Sequence, residues 1–243
     1  MMITDVKPGD VIFIDIETVP HAASFEVLPE DMQKLWEAKS KYFRSGEESA
    51  SQVWNRAGIY AEFGRIICIS AGIMTGSSPR KMRVKSFFGE EKALLADFSS
   101  MLTKFRPEKE LNLCAHNGKE FDFPYIARRM IINRLPVPSL LDNSGKKPWE
   151  VKLLDTMEMW KFGDYKHFTS LSLLTSILGI ASPKDDIDGS MVAETFWVEN
   201  DLRRIVTYCE KDVVAVAQVF LTFTGEPLIA AGDIESVTLF PSA

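Results

Sequence analysis

Val11-Ile12-Phe13-Ile14-Asp15-Ile16-Glu17-Thr18 is the stretch whose reading decides the fold. Four apolar residues, three of them β-branched, run straight into two carboxylates at alternate positions. A continuous apolar run of this length fits a strand buried on both faces, in the middle of a parallel or mixed sheet. Side chains two apart on a strand point the same way, so Asp15 and Glu17 project together from its end. Carboxylates held close raise each other's pKa. A divalent cation relieves that repulsion, and hard cations such as Mg²⁺ take oxygen ligands. An isolated Asp-x-Glu fits an edge turn with two solvated acids equally well, so the remaining sequence has to decide.

After this strand, residues 21–63 do not read as strand. Pro29-Glu30-Asp31 followed by Met32, Leu35 and Trp36 at helical spacing predicts a helix with an acidic first turn. The stretch is expected to be a helical insertion between two core strands. Packing is the first expectation for its aromatics, Trp54 and Tyr60 among them, with base stacking as the alternative. Residues 65–74 form a second apolar strand, Thr75-Gly76-Ser77-Ser78-Pro79 a turn, and 81–88 a third strand returning as a hairpin. An amphipathic helix over 90–105, a short strand over 111–114 and a helix over 120–133 follow. Residues 151–154 read as a last strand ending on Asp155-Thr156, and the remainder as helices over 171–178, 190–198 and 201–222. The tail, 225–243, is expected to add only an apolar tether. The order predicts one α/β domain over 1–243, with a mixed central sheet of about five strands, an antiparallel hairpin early, and flanking helices.

The bulk properties agree with a chain that has a real core: 243 residues, 46% hydrophobic and 26% charged. No run approaches the ~18 apolar residues of a membrane span, and the first ten residues carry no secretory pattern. Cys68, Cys114 and Cys209 lie in apolar contexts without metal-ligand spacing. They read as buried thiols in a reducing compartment, so a cytoplasmic location is expected. The net charge of −6 argues at first against a nucleic-acid partner. Four carboxylates neutralised by two divalent cations would bring it to about −2, so total charge neither selects nor excludes DNA or RNA.

Two further stretches carry chemistry. Ala115-His116-Asn117-Gly118-Lys119-Glu120-Phe121-Asp122-Phe123-Pro124-Tyr125 follows a short strand, where open α/β sheets place their ligand sites. Asp122 falls in the first turn of the next helix, where a carboxylate also suits the helix dipole. His116 has no partner at ligand spacing and reads as structural or as a support for the site. Tyr208-Cys209-Glu210-Lys211-Asp212 lies on the long helix, and residues 208 and 212 sit one above the other on one face. Taken alone, that pair fits an ordinary tyrosine–aspartate contact.

Together, Asp15-x-Glu17, Asn117-x₃-Phe121-Asp122 and Tyr208-x₃-Asp212, in that order, resemble the three motifs of the DEDD superfamily of 3′–5′ exonucleases, and the tyrosine marks its DEDDy branch. The surrounding residues are most similar to the proofreading exonuclease domain of family-B DNA polymerases and its stand-alone bacterial relatives, as are Leu171 to Ile180 and the 184–192 loop. The resemblance spans about residues 10–222 and implies a ribonuclease H-like fold. It also implies release of nucleoside 5′-monophosphates from a 3′ end by a two-metal mechanism. Asp15, Glu17, Asp122 and Asp212 would hold two Mg²⁺ or Mn²⁺, with Asp15 bridging and Tyr208 orienting the attacking water. Expected substrates are single-stranded or frayed 3′ ends of DNA, with RNA and a non-catalytic nucleic-acid-binding role as the alternatives. Thr18, Asn117, Phe121 and Lys184 are candidate substrate contacts. Lys119, Arg128, Arg129, Lys161 and Lys166 are candidate phosphate contacts that fit a solvated face as well.

Overall fold

The structure, a computed structural model, describes residues 6–76, 80–104, 111–164, 168–181 and 187–241. The first strand, β1 (Val11–Pro20), is the axis of the molecule. It pairs antiparallel with β2 (Gly64–Thr75), which turns back into β3 (Lys81–Phe88). On its other side β1 pairs in parallel with β4 (Asn112–Ala115), and β4 in turn with β5 (Leu154–Asp155). The sheet is mixed and has six strands among the described residues, in the order β5-β4-β1-β2-β3-β6.

Strand alternation sorts the core into two layers. Ile12, Ile14 and Ile16 face Leu95 and Phe98 of α2 (Glu91–Lys104) and Ile126 and Met130 of α3 (Asp122–Ile132). Val11 and Phe13 face Val213, Val216 and Phe220 of the long helix α7 (Leu202–Phe223). Phe13 meets Phe220 edge to face with ring centroids 5.5 Å apart. Gly72 lets α7 lie close on β2, since a Cβ there would collide with Met82 and Val213.

The sixth strand corrects the sequence reading of the tail. β6 (Ile234–Ser236) adds in parallel to β3, covering an edge whose N–H and C=O groups would otherwise face solvent. Glu210 of α7 fixes it by accepting hydrogen bonds from Ser86, Ser236 and Thr238 hydroxyls. Further back, Gln218 bonds both the N–H and the C=O of Ile229. Three paired residues are too few for a period to be visible in sequence.

The 21–63 stretch contains α1 (Glu30–Ser40) and a 3₁₀ turn over Trp54–Ile59. Its aromatics pack on one another: Trp36 is fully buried against Trp54, Tyr60, Phe43 and Phe63. The indole N–H groups of Trp36 and Trp54 donate to the carbonyls of Ala50 and Ala22. These rings are spent on a small core of their own.

Arg129 also departs from its reading as a phosphate contact. It is buried, its Nε and Nη2 grip the Glu91 carboxylate at 2.8 and 2.5 Å, and its Nη1 donates to the Ala61 carbonyl. Glu91 accepts in addition from the Ile66 N–H and the Asn133 amide. One buried pair thus joins α2, α3, β2 and the insertion. Lys166 and Lys184 lie outside the described residues.

Candidate active site

β1 outruns β4. Their last parallel pair is Phe13 opposite Cys114, so from Asp15 onward one side of β1 is open. A cleft at the carboxyl ends of the strands, where the neighbour on one side is parallel and on the other antiparallel, is the usual ligand position in such sheets. Asp15 and Glu17 share the face of Phe13 and so look toward α7. Beyond Glu17 the pairing with β2 shifts by one residue, leaving Ile67 unopposed as a bulge.

Two helices supply the remaining acids. α7 carries Tyr208 and, one turn on, Asp212, and the Tyr208 hydroxyl donates to the Asp212 carboxylate. α3 begins at Asp122, whose buried carboxylate accepts from its own N–H and from the Ile16 N–H on the open side of β1. The four carboxylates act on one another. Burial holds Asp15 well above the ordinary aspartate range, and Glu17, Asp212 and Asp122 add to it. Glu17 is raised by burial, then by Asp212, the Cys68 thiol and Asp122. Asp122 is pushed by burial to about 7, its backbone hydrogen bonds opposing and Asp155 and Asp212 assisting. Burial, followed by Asp212, Glu17 and Asp15, lifts the Tyr208 phenol far above an ordinary tyrosine. Asp15 Oδ2 is buried without a hydrogen-bond partner among the described residues. Four repelling acids with an unsatisfied oxygen among them form a donor set for hard cations.

Ligand atoms of Asp15, Glu17 and Cys209 lie within 4.8 Å of one another. The Cys209 thiol donates to the Asp15 carbonyl at 3.4 Å, and burial followed by Cys68 raises its pKa. A protonated thiol is a poor ligand for a hard cation, so this sulfur serves as floor to the carboxylates. Sequence showed Cys209 only as a core thiol, because the residues it meets come from β1 and β2.

The loop before α3 is held by a residue the sequence reading passed over. Asp155, at the end of β5, caps α4 (Thr156–Lys161) by accepting from the Met157 and Glu158 N–H groups. The same carboxylate accepts from the N–H groups of Asn117 and Lys119, each at 3.0 Å. His116 braces the loop from below: its Nε2 donates to the Thr169 carbonyl, and Nδ1 lies 2.9 Å from the Thr156 hydroxyl. Gly118 packs so tightly that a Cβ would strike Ala115 and Phe123. An aspartate directly before a helical run is an N-cap signal, and that was the clue available for Asp155. Asp155→Ala is expected to cost about 2 kcal/mol, lowering the unfolding temperature by roughly 4–8 °C, read by calorimetry.

The expected substrate contacts divide. Asn117 adopts a left-handed conformation (φ 62°) at the cleft, and its buried Oδ1 has no partner among the described residues. Phe121 is half-buried against the Tyr125 ring. The Thr18 side chain turns to the opposite face, where its hydroxyl bonds Tyr125, whose own hydroxyl donates to the Gly58 carbonyl. Strand alternation explains why Thr18, next to Glu17, cannot share its direction. Lys184 is outside the described residues.

Residues 59–228 match a family model described as a predicted 3′–5′ exonuclease related to the exonuclease domain of PolB. The matched segment includes Asp122, Tyr208 and Asp212 and starts after Asp15 and Glu17. The fold is similar to that of the family B DNA polymerase from the hyperthermophilic archaeon Pyrobaculum calidifontis. The TM-score is 0.50 and the sequence identity 16%, over 87% of this chain and 24% of that one. The chain therefore spans about a quarter of that polymerase, and the likeness concerns the fold, a ribonuclease H-like α/β arrangement. No curated protein matches the sequence.

Proposed function

The chain belongs to the family of predicted 3′–5′ exonucleases related to the exonuclease domain of PolB, and on that premise we propose that it shortens DNA from the 3′ end, releasing nucleoside 5′-monophosphates at a site for two divalent cations. The observation that carries this reading is the convergence of Asp15, Glu17, Asp122 and Asp212, from three elements, on one cleft where each raises the pKa of others. These four residues would hold Mg²⁺ or Mn²⁺, which when bound polarise the phosphodiester and stabilise charge on the attacking and leaving oxygens.

The chain's own groups do the rest. Asp15 is fixed by a strand that pairs with β2 on both sides of it, opposite Ser70, so its position is rigid, whereas Asp122 and Asp212 arrive on helix surfaces. Tyr208 keeps its proton at any working pH, because its phenol lies far above the usual value of about 10. It therefore orients the attacking water and is no base. Glu17, on the same face of β1 as Asp15, shares the orienting of that water, whose proton leaves to solvent as the oxygen adds to phosphorus. The bond from phosphorus to the 3′-oxygen of the preceding nucleotide breaks, and that oxygen takes a proton from solvent.

The test uses 5′-labelled single-stranded DNA, duplex DNA and RNA with Mg²⁺, Mn²⁺ or chelator. A ladder receding from the 3′ end of DNA, absent in chelator, is the expected result. Shortening of RNA alone would change the substrate and keep the site, and no cleavage of any polymer would refute the proposal. Tyr208→Phe is expected to slow turnover about 10²-fold while Mn²⁺ affinity by calorimetric titration stays within about twofold. Equal loss of both would make the tyrosine structural.

A further inference from the structure

Beside the catalytic loop, on the outer side of α3, lies a groove of about 630 Å³ that none of the motif residues explains. Its floor is apolar and is offered mainly by Ile131, which is 65% exposed, while Phe123 and Leu141 in the lining are buried. Lys119 and Arg128 stand at the rim. Lys119 is committed to Glu158 at 2.6 Å. Arg128 is exposed and forms no ion pair or hydrogen bond with any described residue, in a chain with net charge −6. The one acid in the lining, Asp142, is turned back onto the Ser144 hydroxyl and N–H.

From this juxtaposition we infer that the groove is a subsite for single-stranded nucleic acid, taking a nucleotide upstream of the cleaved end, its base on the apolar floor and its phosphate on Arg128. The volume falls in the range that holds one small ligand. An apolar surface beside a cation with no acidic partner offers one contact to a base and one to a phosphate, neither of which depends on sequence. Continuity with the cleft comes from the chain itself: Lys119 and Phe123 in the groove wall bracket the loop that delivers Asp122. The inference rests on the proposed nuclease reading for the identity of its ligand, and adds where the strand lies outside the cleft.

The experiment measures fluorescence anisotropy of 5′-labelled single strands, a dinucleotide and a longer oligonucleotide, in chelator, so that nothing is cleaved. For Arg128→Gln, affinity for the longer strand should fall several-fold, with a much smaller change for the dinucleotide. The slope of log affinity against log salt should shrink by roughly 0.7, the value for one lost phosphate contact on a single strand. Loss that is equal for both lengths, or an unchanged salt slope, overturns the subsite. An unchanged unfolding temperature for Arg128→Gln excludes a folding defect as the cause. Because binding is read without cleavage, an inactive wild-type protein would count against the proposed function, while an unaltered salt slope counts against the groove alone.

Discussion

Asp15→Asn is expected to abolish cleavage and, in chelator at about pH 8, to make the protein more stable than the wild type. The two effects share one cause. Asp15, Glu17 and Asp122 all have pKa values raised in the folded state, chiefly by burial and then by one another, with Asp122 at about 7. An acid raised on folding contributes stability that is fully present below its unfolded pKa of about 4 and is lost as pH rises through the folded value. Metal-free protein should therefore weaken between about pH 4 and pH 7, the window set by Asp122. Asparagine has the same shape and cannot ionise, and its amide can donate to a neighbouring carboxylate. A gain of about 1–2 kcal/mol, or roughly 2–8 °C in unfolding temperature, follows at pH 8. At pH 4 the gain should vanish, and added Mg²⁺ should reverse the order, since a ligand of the folded state stabilises whichever protein binds it better. Cleavage should fall at least about 10³-fold. Retained cleavage, or a variant less stable than wild type at pH 8 in chelator, would sink the reading of Asp15 as a ligand.

The second large effect is structural. Arg129→Met leaves Glu91 charged and buried, still facing the Ile66 N–H and the Asn133 amide but without its cation. Breaking such a pair from one side costs about 3–5 kcal/mol, or roughly 6–20 °C in unfolding temperature. The companion variant Arg129→Met/Glu91→Gln removes the stranded charge and keeps an acceptor for Ile66. It should recover half or more of the loss in urea denaturation. A single variant within about 1 kcal/mol of wild type would show that the pair holds nothing together.

The sequence made some of this legible and not the rest, for identifiable reasons. β1 was readable because a run of β-branched residues has few alternatives, and Asp15 and Glu17 followed from strand alternation alone. The hairpin of β2 and β3 was readable from its turn cluster and alternation. Asp122, Tyr208 and Asp212 became meaningful only through a resemblance, since the distances among them are set by packing between elements. Arg129 and Thr18 misled, because a solvated cation and one whose partner is 38 positions away look identical in one dimension, and a hydroxyl beside a catalytic acid invites the wrong face. Asp155 read only as the end of a strand, and nothing local says that the Asn117 and Lys119 N–H groups bond to it.

β3 and the strand that covers it are far apart in the chain: the Ser86 N–H meets the Thr238 hydroxyl across 152 positions. On the ribosome, the edge of β3 is made long before β6 exists, so a nascent chain exposes an open strand until β6 emerges. Contacts of such separation form late and slowly, and an uncovered edge is a template for association between chains. Lys81, Arg83 and Lys85, on the exposed alternate positions of β3, guard that edge in the interval. The latch that finishes the sheet thus makes residues 234–238 decisive for yield, and the three cations keep the waiting edge from pairing with a neighbour.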